Sequence, residues 1–90
     1  PLDFSTLQYD EAHIKERGHG VSEKLAHDII RTASVSATVW GGQFERYYST
    51  KLGGVVYVNR ETNTVRTAYM GDEIKGDARK VMEVLKKYGR

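Results

Sequence analysis

The stretch Val55-Val56-Tyr57-Val58-Asn59-Arg60-Glu61-Thr62-Asn63-Thr64-Val65-Arg66-Thr67-Ala68-Tyr69-Met70 decides the fold. Two runs rich in β-branched and aromatic residues, 55–59 and 64–70, flank the polar loop Arg60-Glu61-Thr62-Asn63, which reads as a β-hairpin. Strand alternation then sends Val65, Thr67 and Tyr69 to one face and Arg66 and Ala68 to the other. Gly53-Gly54 breaks the chain before the hairpin. Ahead of that break, Val39-Trp40 leads through Gly41-Gly42 into a run from Gln43 to Ser49 that alternates well enough for a further strand.

Helices are expected on both sides of this core. Ser22 caps one that runs to about Ala33, with Leu25, Ala26, Ile29, Ile30 and Ala33 on one face. Ser5-Thr6-Leu7-Gln8 has the spacing of a capping box, and predicts an earlier helix to about Arg17, stopped by Gly18. Asp77 is expected to cap a last helix that buries Ala78, Val81, Met82, Leu85 and Tyr88 and ends at Gly89. The expected class is α+β: N-terminal helices packed on an antiparallel sheet, with a C-terminal helix, as one domain over residues 1–90.

Bulk properties narrow the function classes. The chain has no cysteine, which removes disulfides, thiolate chemistry and sulfur-based zinc sites. No apolar run approaches a membrane span. The abrupt start at Pro1-Leu2-Asp3 reads as a piece of something longer. The net charge of +2 hides an asymmetry: residues 1–45 carry four Lys/Arg against seven Asp/Glu, and residues 46–90 carry ten against five. A basic half suits a polyanion, and equally suits a lysine-rich helix that only keeps the domain in solution.

Three histidines are candidates for chemistry. His27 falls opposite the apolar helix face, between Glu23 and Arg31, and reads as a solvated residue. His13 precedes the loop Gly18-His19-Gly20, whose glycines let the backbone approach a ligand. Two neighbouring imidazoles suit phosphodiester cleavage through a ribose 2′-hydroxyl, one taking its proton and the other protonating the departing 5′ oxygen. Such chemistry needs RNA and no metal. A zinc site would need a third ligand, and Glu11 and Glu16 form no recognised motif with the pair. A structural role for both histidines is the plain alternative. Thr67 and Tyr69 could bind a phosphate oxygen and stack on a base, although a threonine and tyrosine two apart in a strand usually just pack. A cation is wanted for the transition state. Among Arg46, Lys51, Arg60 and Arg66, the preferred candidate is Lys51, with Arg46 next; either could be a solvated surface residue.

The order His13-Ile14, Gly18-His19-Gly20, Val55 to Asn59, then Val65-Arg66-Thr67-Ala68-Tyr69 resembles the bacterial EndoU nuclease domains over about residues 13–70. By that resemblance His13 and His19 match the catalytic histidines, and Thr67 and Tyr69 the threonine and base-contacting tyrosine. It implies an EndoU or barnase-EndoU-colicin-RelE-like fold and an endoribonuclease that can leave a 2′,3′-cyclic phosphate without a cofactor. It also implies a toxin domain of a contact-dependent growth inhibition protein. Such a domain is secreted or displayed at a cell surface within a larger protein and acts on RNA, tRNA included, in the target-cell cytoplasm. A dedicated immunity protein is the implied partner. The chain departs from the family in the six-residue spacing of its histidines and in Met70, where a proline commonly stands. A non-catalytic basic module that docks RNA or an acidic protein is the competing expectation.

Overall fold

A computed structural model describes residues 4–10 and 21–90. Among these residues five strands form one mixed sheet: β1 (Gln8–Tyr9), β2 (Val35–Val39), β3 (Phe44–Ser49), β4 (Gly54–Asn59) and β5 (Thr64–Met70). Their spatial order is β1-β5-β4-β3-β2, antiparallel throughout except that β1 runs parallel to β5. Helix α1 (Glu23–Thr32) lies between β1 and β2 in the chain, and α2 (Gly76–Lys87) follows the sheet. The α+β class and the hairpin of β4 and β5 are as expected.

Each face of the sheet has its own apolar cluster. On one, Ala26, Ile29 and Ile30 of α1 pack on Val56, Val58, Val65 and Ala68. Ser22 caps this helix as expected, its Oγ accepting from Leu25 N–H at 3.1 Å. Thr32 and the buried Ser49 share a hydrogen bond of 2.7 Å, which ties the helix end to β3. On the opposite face, Ala78 and Met82 of α2 pack with Ile74 against Tyr48, Val55 and Tyr57. Gly89, at φ 71°, ends α2 as expected: its N–H reaches Lys86 O and that of Arg90 reaches Leu85 O, a Schellman closure.

Several expectations are corrected. Residues 4–10 are not the start of a helix. Phe4–Thr6 form a 3-10 turn and Gln8–Tyr9 an edge strand. Gln8 and Asp10 spend their N–H groups on Asn63 O and Val65 O, both at 2.9 Å, instead of on a helical turn. The remainder of that expected helix lies outside the described residues. The sheet is therefore mixed, and among the described residues only α1 precedes its main strands. β2 has no counterpart among the elements expected from the sequence. Asp77 sits in the first turn of α2, whose cap position is Lys75. Val81 and Tyr88 are exposed, because α2 meets the sheet along only the narrow strip of Ala78, Met82 and Leu85.

The alternation of β5 is also interrupted. Tyr57 pairs with Thr67 but Val58 pairs with Val65, so Arg66 is an extra residue, a β-bulge. Val65 consequently joins Ala68 in the α1 cluster, while Thr67 and Tyr69 pair with Tyr57 and Val55 on the α2 face. No helix among the described residues is long and apolar enough to cross a membrane.

Candidate functional site

Helix α2 covers only part of its face of the sheet. Beside it lies an open hollow of about 590 Å³, between the β2–β3 turn and the β4–β5 turn. Thr67 and Tyr69 line it together with Arg66, which the bulge brings to the same place. Trp40 and Phe44 form an aromatic side, Gln43, Asn59 and Thr62 come from the two turns, and Asp10 borders the hollow from the end of β1. A smaller hollow of about 210 Å³ continues from Tyr69 under the start of α2, where Lys75 and Glu73 line it.

The turns that shape the hollow are fixed by local hydrogen bonds. In the β2–β3 turn, Trp40, Gly41 and Gly42 all have positive φ, at 54°, 68° and 91°. Arg60 braces this turn by donating to Gly42 O at 2.9 Å, and its own N–H donates to Gln43 O at 3.0 Å. In the β4–β5 turn, Asn59 Oδ1 accepts from the N–H groups of Glu61 and Thr62, an Asx-type closure. Asn63 donates to Thr6 Oγ1 at 2.9 Å and joins the turn to the N-terminal segment.

An aromatic row runs along the side of the hollow, with the buried Tyr57 behind it. Trp40 stacks on Tyr57 with centroids 4.9 Å apart and planes 10° apart, and Phe44 meets Trp40 edge-on at 5.0 Å. Tyr57 meets Tyr69 at 6.1 Å, edge to face. Burial pushes the Tyr57 phenol above its ordinary pKa, with the nearby Arg46 pulling the other way. Tyr57 therefore stays neutral in the ordinary range and serves as packing.

The expected cations fare differently. Arg46 is only 3% exposed, in mid-strand, and its guanidinium lies 5.0 Å from the Tyr57 ring centroid. It donates to Tyr48 Oη at 2.8 Å and pairs with Asp77 at 3.3 and 3.4 Å. Its Nε is buried, with no hydrogen-bond partner among the described residues. Burial works against its charge, but the Tyr48 hydrogen bond, the neighbouring tyrosines and Asp77 together hold its pKa above the ordinary value. Arg46 thus anchors α2 and does not line the hollow. Lys51 occupies the exposed β3–β4 turn, at the opposite end of the strands from Gln43, Asn59 and Thr62. Arg66 is the cation that the fold places beside Thr67 and Tyr69. It is half-exposed and forms an ion pair with Asp10 at 2.6 Å. Thr67 borders the hollow although it is only 4% exposed.

His13 and His19 lie outside the described residues. His27 is half-buried and packs against the ring of Phe4 at 4.5 Å. Among the described residues no cluster of three or more His, Asp or Glu could hold a metal ion. Sequence reasoning passed over Trp40 and Phe44; the signal available was a bulky aromatic directly before two glycines, a poor choice for a turn. Set against known protein families, curated proteins and solved structures, the chain matches none.

Proposed function

We propose that the domain is a metal-independent endoribonuclease of the EndoU-like kind. His13 and His19 share the general base and acid roles, and Thr67 and Tyr69 position the nucleotide. Arg66 replaces Lys51 and Arg46 as the cation beside the phosphate, since it stands next to Thr67 on the open hollow. The observation that carries this reading is the composition of that hollow: a threonine, a tyrosine and an arginine in one place, bordered by Asp10. Asp10 is three residues from His13 in the chain. A chain spans at most about 3.6 Å per residue, so this tether is no longer than about 11 Å.

In the proposed mechanism one imidazole takes the 2′-hydroxyl proton and the oxygen attacks the adjacent phosphorus. The P–O5′ bond breaks as the other imidazolium gives its proton to the leaving oxygen, and a 2′,3′-cyclic phosphate remains. Each transfer is worth about 10²–10⁴-fold in rate. We further propose that the domain is a toxin delivered within a larger protein into a target cell, restrained by an immunity protein with an acidic surface.

The test is incubation with total tRNA in the presence of a chelator, followed by a gel and by mapping of the new ends. Wild type should cut and leave cyclic phosphate, while His13→Ala and His19→Ala should not cut yet remain folded. Undiminished cleavage by both variants removes the mechanism. Salt-sensitive binding without scission by wild type would instead make the domain a non-catalytic RNA module.

A further inference from the structure

Packing on Tyr57 and Phe44 accounts for one side of Trp40 but not for its place in the turn. Tight hairpin turns with positive φ favour Asn or Gly, because a β-carbon is crowded there. Trp40 nonetheless holds φ 54° at the head of its turn. It is not core either, since 57% of it is exposed. Its plane is firmly set: Tyr57 takes one side of the indole, Phe44 abuts it edge-on, and Arg60 secures the turn below. The outcome is a rigid, exposed aromatic plate at the mouth of a hollow of nucleotide-compatible size.

The surroundings indicate what the plate takes. Gln43 and Thr62 offer donors and acceptors in the same hollow, where Arg66 and Asp10 form an ion pair. A flat ring with a polar edge fits the exposed indole, and Arg66 remains the cation for the phosphate of that nucleotide. Arg60 is exposed at the same end of the sheet, where a strand's phosphates could meet it. We infer that Trp40 is a stacking platform for an unpaired nucleobase of single-stranded RNA. Choosing RNA as the ligand rests on the proposed ribonuclease reading. The platform itself acts in binding, apart from the histidines, and paired bases are excluded because their faces are already covered by neighbours.

Trp40 is the single tryptophan of the chain, so its emission reports on the site directly. The probe is a short single-stranded oligoribonucleotide titrated into the His13→Ala/His19→Ala double variant, which removes scission from the readout. The expected result is quenching by the single strand, little quenching by the same strand in a duplex, and none by inorganic phosphate. Anisotropy of labelled RNA should show Trp40→Ala binding about 5- to 150-fold more weakly, with Trp40→Phe losing less. Trp40→Gly relieves the positive φ, and should bind as weakly as the alanine variant if the indole alone matters. Absent quenching, or unchanged affinity in these variants, overturns the platform even if wild type cuts RNA. Quenching by a wild type that never cuts RNA leaves the platform standing and overturns the nuclease. Equal quenching by phosphate alone replaces the base site with an anion site and overturns the inference.

Discussion

Gly54 opens β4 with ordinary backbone torsions, yet a methyl group there has nowhere to go. A Cβ built on it lies 2.6 Å from Ile29 Cδ1, 2.6 Å from Met70 Sδ and 3.0 Å from Ile29 Cγ1. Comfortable separations are about 3.5–4.0 Å, so roughly 1 Å must be found. Met70 is half-buried and flexible and can swing aside. Ile29 is fully buried between α1 and the sheet and cannot. Overpacking of this kind costs about 1–3 kcal/mol. Part of that is offset by about 0.4–1 kcal/mol, because alanine restricts the unfolded chain where glycine does not. Gly54→Ala should therefore lose about 0.5–2 kcal/mol, and Tm should fall by about 4–8 °C for each kcal/mol. Urea unfolding with unchanged m-value measures it. Ile29→Val, which removes the clashing Cδ1, costs about 0.5–1.5 kcal/mol by itself. In that background the closest Ile29 contact is gone and only the contact at the Cγ1 position, 3.0 Å, remains beside the flexible Met70, so adding Gly54→Ala should cost clearly less than it does in wild type. Wild-type stability in Gly54→Ala, or the same loss in both backgrounds, would refute the packing argument.

Asp77 has its carboxyl held below the usual 3.8, first by the hydrogen bond from Arg46 and then by its charge. A depressed folded pKa gives stability that is present above 3.8 and lost as pH falls through the folded value. Asp77→Asn should thus be less stable than wild type near neutral pH, with the gap closing on acidification below 3.8; a gap that is constant with pH would contradict the pairing. The other prediction concerns Ser22. Ser22→Ala removes the acceptor for Leu25 N–H and should cost about 1 kcal/mol in urea unfolding, where Ser22→Asp should retain most of the stability.

What could be read in the sequence was what local physics decides. The cap of α1, its apolar face, the polar turn of the β4–β5 hairpin and the closing Gly89 all depend on residues within a turn of one another. β1 does not. Its partner is Val65, fifty-six positions beyond Tyr9, and Ser5-Thr6-Leu7-Gln8 imitates a capping box until distant carbonyls claim its N–H groups. The alternation Leu7, Tyr9 was present, but two residues of strand carry little weight against a helical motif. β2 was legible and missed: Val35, Ala37 and Val39 alternate with Ser36 and Thr38, which both donate to Glu45 at 2.8 Å. Arg46 looked like a surface cation because charged residues in strands usually are. Only the cross-strand register reveals that it faces Tyr57 and lies under α2.

The bulge at Arg66 is where fold and site depend on each other. Unbroken alternation would put Val65 and Thr67 on one face, so that either a valine would be stranded in the hollow or a threonine driven into the α1 core. One extra residue resolves the conflict. Val65 stays among Val58, Ala26 and Ile29, and the strand is rephased so that Thr67 and Tyr69 turn to the side left open by α2. The same insertion sends the Arg66 guanidinium to the rim, where Asp10 meets it. That ion pair in turn fastens β5 to the end of β1, the point from which the chain leaves toward His13. A bulge of this kind costs ladder hydrogen bonds and is retained where it re-aims side chains. Here it brings together three side chains that the proposed function uses to hold the nucleotide, which makes the hollow, and not the exposed β3–β4 turn with Lys51, the proposed place for bound RNA.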